Sequence, residues 1–98
     1  MALNTKPKIL IFSDWYAPAF KGGGPIRSIV NLVEALKQQY DFYVFTADTD
    51  FGESSPIPHI KVDQWLFQDG FHVYYHSKGR MTYKMVKSVI KEINPHRI

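Results

Sequence analysis

The chain has 98 residues, 45% of them hydrophobic and 15% aromatic, with a formal net charge of +3 and no cysteine. That composition suits one small folded domain and excludes a disordered chain, a disulfide framework, a thiolate metal site and a cysteine nucleophile. The mild charge falls short of the dense basic patch of a nucleic-acid binder, no apolar run approaches the roughly 20 residues of a membrane span, and residues 1–8 lack the order of a signal peptide, so a cytoplasmic chain is expected.

The first element expected is a strand over Lys8–Ser13, where Ile9-Leu10-Ile11-Phe12 crowd a run bounded by Pro7 and Asp14. Its continuous hydrophobicity points to burial on both faces, as in a parallel sheet. A loop rich in glycine follows, Lys21-Gly22-Gly23-Gly24, and then Pro25 at the place of a first helical residue, with Gly24 as the cap. Ile26, Ile29, Val30, Val33 and Leu36 recur at helical spacing, opposite Arg27, Asn31, Glu34 and Gln38. A second strand is expected over Asp41–Ala47. Strand, helix and strand in this length make a parallel βαβ unit.

The polar stretch Asp48 to Pro58 reads as a loop. Two runs follow, Val62–Gln68 and Phe71–His76, joined by the turn dipeptide Asp69-Gly70. Pairing about that turn sets Leu66 opposite Val73, Trp65 opposite Tyr74 and Asp63 opposite His76. A second helix is expected over Met81–Ile93, with Met85, Val86, Val89, Ile90 and Ile93 as its apolar stripe and Asn94-Pro95 as its stop. His96-Arg97-Ile98 then falls where an α/β domain would begin its next strand. Two strands plus a hairpin are fewer than the five or six of a doubly wound sheet, so a truncated piece is expected.

A strand, a glycine-rich loop and a helix in that order build an anion site, because glycines admit backbone N–H groups close to a ligand and the helix N-terminus is electropositive. Two familiar versions fail here. The dinucleotide fingerprint needs a third glycine where Arg27 stands, and the phosphate loop of nucleotide hydrolases needs Gly-Lys-Ser/Thr where Pro25 stands. What remains is the helix N-terminus itself, with Lys21 adding charge; the competing reading is a sharp turn capped by water. Asp14 and Asp48, at the ends of two expected parallel strands, fall where α/β ligand crevices form, and Asp14 suits a sugar hydroxyl or simple strand termination. His72 and His76, about 13 Å apart along one strand, cannot share a metal ion.

In combination, Lys8-Ile9-Leu10-Ile11-Phe12, Tyr16-Ala17-Pro18, Gly22-Gly23-Gly24-Pro25, Arg27-Ser28, Asn31-Leu32, Glu34-Ala35-Leu36 and Val44-Phe45-Thr46 resemble the start of family 4 retaining glycosyltransferases. Trp65, Asp69-Gly70 and Val73-Tyr74-Tyr75 look like the hairpin that many bacterial members carry. The resemblance covers roughly Lys8 to Asn94. It implies a GT-B architecture of two Rossmann-like domains, with residues 1–98 as an incomplete N-terminal one. It also implies transfer of a sugar from a nucleotide-sugar donor to a saccharide or lipid-linked acceptor, as in polysaccharide biosynthesis, without a metal or other cofactor.

By that match Gly22, Gly23 and Gly24 face the donor phosphate, with Lys21 and Arg27 as its possible cationic partners and Asp14 and Asp48 as acceptor-side candidates. Arg27 equally suits solvent beside Asn31 and Glu34. The family's donor pocket and paired glutamates lie in its other domain, so no catalytic residue is expected within these residues and the chain alone is expected to be inactive. Lys78, Arg80, Lys84, Lys87 and Lys91 read as a solvated helix face, or as a peripheral contact with the inner face of a membrane bearing a lipid-linked acceptor. Trp65 and Tyr74 read as sheet packing or as a sugar-stacking platform. The alternative from another class is a non-enzymatic α/β binding or assembly module that uses an exposed strand edge, and self-association through that edge is expected of a truncated chain.

Overall fold

The computed structural model describes residues 6–13, 16, 24–49, 55–77 and 82–98. They form β1 (Lys8–Ser13), α1 (Gly24–Leu36), β2 (Asp41–Ala47), β3 (Trp65–Gln68), β4 (Phe71–His76) and α2 (Tyr83–Ile93). The four strands make one mixed sheet in the order β1-β2-β4-β3. β1, β2 and β4 are parallel, and β3 runs antiparallel on β4. The protein is therefore an α/β domain compatible with part of a Rossmann-like fold.

β1 and β2 fall where their apolar runs place them, and the hairpin register matches the turn, with Trp65 opposite Tyr74 and Leu66 opposite Val73. Asp69 at φ 53° and Gly70 at φ 87° give the two left-handed residues of a type I′ turn, whose twist suits the flanking strands. The hairpin is not a separate ribbon. β4 slots against β2 in parallel, so the connection between two parallel strands here contains β3 and the stretch before it.

Both helices start away from their expected residues. α1 begins at Gly24, one position early, so Gly24 is the first helical residue and not the cap. α2 begins at Tyr83 because Thr82 caps it: its backbone is extended and its hydroxyl accepts from the Met85 N–H at 3.2 Å. Met81, expected inside that helix, lies outside the described residues. At the other end Asn94, left-handed at φ 51°, donates its N–H to the Ile90 carbonyl at 2.8 Å and closes α2 before Pro95.

Strand alternation divides the core into two layers. On one face Val33 of α1 packs with Phe42, Val44, Phe71, Val73 and Tyr75, and Ile9 and Ile11 border them. On the other Leu10 and Phe45 pack with Val89 and Ile93 of α2. Tyr16, quoted above for a resemblance, is 3% exposed and belongs to the first layer, its ring edge-on to Phe71 at 6.0 Å. Lys84, Lys87 and Lys91 are exposed on the opposite side of α2, as a solvated face requires.

After α2 the chain returns to the open side of β1. The His96 and Arg97 N–H groups donate to the Lys8 carbonyl at 2.8 and 3.2 Å, and Leu10 N–H donates to the Arg97 carbonyl at 2.9 Å. Arg97 thereby bridges Ile9 in parallel. The His96 ring adds a further bond, its Nδ1 accepting from Lys8 N–H at 2.9 Å.

Candidate functional site

The C-terminal ends of β1, β2 and β4 form one edge of the sheet. Register puts Ser13 beside Thr46 and Thr46 beside Tyr75, one strand spacing of about 4.8 Å apart. Alternation from Phe42 and Val44 turns Thr46 toward the α1 layer. The end of α1 lies at the opposite edge, where Leu36 shares a groove with Tyr40 and Phe42. Thirteen helical residues span about 20 Å, close to the length of β2, so the start of α1 reaches the edge that holds Thr46.

Three of the residues expected at a site are described. Gly24 opens α1 and is exposed, and apart from its chain neighbours and its own helix no atom of the described residues comes within 4 Å of where a Cβ would stand. No acidic side chain occupies the first turn of α1, which leaves its positive end uncompensated from within the helix. Arg27 is exposed on the same helix and has no ion-pair partner among the described residues. Asp48 is 7% exposed just beyond β2. Its N–H donates to the His76 carbonyl at 3.1 Å and its carbonyl accepts from Ile57 N–H at 2.7 Å, so it ties the following loop to the sheet. Lys21, Gly22, Gly23 and Asp14 lie outside the described residues.

Thr46 was quoted in the resemblance but not singled out as a site residue. Its side chain is fully buried and its Oγ1 finds no hydrogen-bond partner among the described residues. A desolvated, unpartnered hydroxyl is destabilising by itself, so it stands out at an edge where ligands bind in α/β sheets. The sequence signal was slight: one hydroxyl where an apolar strand would carry a valine. Tyr75, next to it in register, is 2% exposed, and burial pushes its phenol up to about 12. Burial also pushes the Tyr16 phenol well up, with the Tyr75 phenol adding to the effect. Both rings are neutral hydrogen-bonding groups at physiological pH.

The histidines separate as their spacing requires. His72 meets the Asp41 carboxylate at 3.2 Å and stacks on Tyr43 at 4.2 Å, whereas His76 is buried against Phe45 at 5.1 Å. Asp63 precedes β3 at φ 58°, and its carboxylate accepts from the N–H and hydroxyl of Ser77. No group of three or more His, Asp or Glu among the described residues is arranged to hold a metal. Trp65 packs edge-on to Tyr74 at 5.4 Å and to Tyr43 at 5.5 Å, which is sheet packing. No helix among the described residues is long and apolar enough to cross a membrane.

The arrangement at the edge offers hydroxyls, backbone N–H groups and a positive helix end, which suits binding of an anion or a polyol. No protein-family model, curated protein or solved structure matches the chain.

Proposed function

We propose that this chain is the acceptor-side part of a retaining glycosyltransferase of GT-B architecture, in which the edge at Thr46 and the start of α1 form one wall of the sugar-transfer cleft. The observation that supports this reading most is the convergence of Ser13, buried Thr46, Asp48 and a helix whose first turn holds no acidic side chain at one edge of a parallel sheet. The helix end and its glycines suit the donor diphosphate, with Arg27 available to the same charge. Asp48 and the hydroxyls suit the sugar hydroxyls of a saccharide or lipid-linked acceptor. The chemistry belongs to a second domain, and on this reading the chain carries no catalytic residue, needs no metal, and works in the cytoplasm at or near the inner face of the membrane.

The test has two arms. Titrating the chain with uridine- and guanosine-diphosphate sugars is expected to shift the amide resonances of Gly24, Arg27, Thr46 and Asp48 ahead of others. The complete gene product is expected to transfer a sugar from one of those donors with retained anomeric configuration. Absence of both the shifts and the transfer overturns the proposal. The open side of β1 beyond Leu10 favours a second reading, a non-enzymatic assembly module that recruits a strand, and shifts confined to β1 on mixing with a partner would support it.

A further inference from the structure

The connection before β3 turns twice through left-handed backbone, at His59 with φ 67° and at Asp63 with φ 58°. Between the turns Ile60 and Val62 pack against the α1 layer, while His59 and Lys61 stay exposed. Residues 59–61 thereby face residues 65–67 across an open cavity of about 580 Å³, with the buried Tyr75 also in its wall. A cavity of that size suits a small ligand.

Its polar lining consists of a cation and hydrogen-bond donors. Lys61 brings an ammonium group, His59 an imidazole, Trp65 an indole N–H and Tyr75 a phenol that burial keeps neutral. No described carboxylate lines it. Asp63, the acid nearest in sequence, gives its carboxylate to the N–H and hydroxyl of Ser77. Neither Lys61 nor His59 has an ion-pair partner among the described residues, and the Trp65 indole nitrogen is out of water without an acceptor among them. Phe67 supplies the apolar part: its ring is tilted on His72 at 4.9 Å and is 68% exposed, an open stacking surface beside the cavity.

We infer that this cavity binds a small oxyanion carried on a ring, the charge held by Lys61 and His59 and the ring laid against Phe67. The lining carries this assignment, because an ammonium group and N–H donors without a carboxylate select an acceptor-rich anion, and an exposed aromatic ring selects a ligand with an apolar face. The inference uses none of Ser13, Gly24, Arg27, Thr46 or Asp48 and does not rest on the sugar-transfer proposal.

The test titrates the chain with three kinds of probe. Benzoate, glucuronate and glucose 6-phosphate carry both ring and charge; benzyl alcohol and glucose carry the ring alone, and acetate and inorganic phosphate the charge alone. At least one of the first three is expected to shift the Trp65 indole and His59 ring resonances to saturation, about tenfold or more tighter than its uncharged and ringless counterparts. The one that does so tells an aryl from a sugar ring and a carboxylate from a phosphate. Lys61→Gln is expected to weaken that binding about tenfold and Phe67→Ala by a similar factor, while Lys61→Arg keeps it within about threefold. Both side chains are exposed, so unfolding midpoints are expected to stay unchanged. Equal binding of charged and neutral probes, equally tight binding of acetate or inorganic phosphate, or full binding by Lys61→Gln overturns the inference. So does the absence of shifts with all three ring-bearing anions, or shifts centred on Gly24, Arg27 and Thr46, which would place the anion in the cleft.

Discussion

At the scale of single residues, the buried groups do opposite things. The Thr46 hydroxyl is out of water without a described partner, so Thr46→Val keeps the shape and removes a desolvation cost. It is expected to raise stability by about 1 kcal/mol in urea unfolding. The same substitution is expected to weaken nucleotide-sugar binding if that hydroxyl serves the cleft, and a gain in stability with unchanged binding would remove Thr46 from it. The Tyr75 phenol is raised from 10.0 to about 12 by burial, so folding favours its neutral form. Stability from this group is complete below about pH 10 and is lost as pH rises toward 12, at about 1.4 kcal/mol per pH unit. Tyr75→Phe is expected to flatten that alkaline slope, as measured by unfolding at pH 9, 10 and 11.

At the scale of elements, caps and turns hold what the apolar pattern outlines. Thr82→Ala removes the acceptor for Met85 N–H and is expected to cost about 1 kcal/mol, with Thr82→Ser recovering most of it. Gly70→Ala forces a side chain onto φ 87°, and its Cβ would sit 3.3 Å from the flexible Lys37 Cδ. A loss of about 1 kcal/mol is expected from the backbone more than from the clash, and chemical denaturation of the variant checks it. The strands, the hairpin register and the stripe of α2 were legible because each is a local rule: a run of β-branched and aromatic residues, a turn dipeptide, a period of 3.6. The start of α2 was not, because Met81 extends the apolar pattern while Thr82 ends the helix by hydrogen bonding. Asp63 lies about opposite His76 as its spacing predicts, its N–H donating to the Tyr75 carbonyl at 2.8 Å and its carboxylate accepting from Ser77, although its left-handed backbone ends the regular ladder at Trp65.

At the scale of the whole molecule, stability rests on two layers that share one sheet. Leu10 is wholly buried between Phe45 and the α2 residues Val89 and Ile93. Leu10→Ala is expected to cost about 2–5 kcal/mol and to loosen α2 before the α1 layer, visible as early loss of protection at Val89 and Ile93 amides. Sheet order was beyond local reading, because it depends on which distant edges meet. Nothing near Phe71 announces that β4 pairs with β2. Of the expected site, the helix end and the position of Asp48 could be read from motif and strand end; the burial of Thr46 could not, since it follows from tertiary packing and not from a local rule.

The short rung between Lys8 and Arg97 has a mechanical meaning as well. It closes a loop of nearly the entire described chain with only a few hydrogen bonds, so its closure is among the costlier steps in entropy and among the last to complete. Because the two segments run parallel, tension applied between the chain's ends pulls them past one another along the strand axis. The bonds at Lys8 and Leu10 then share the load in shear and do not peel apart singly.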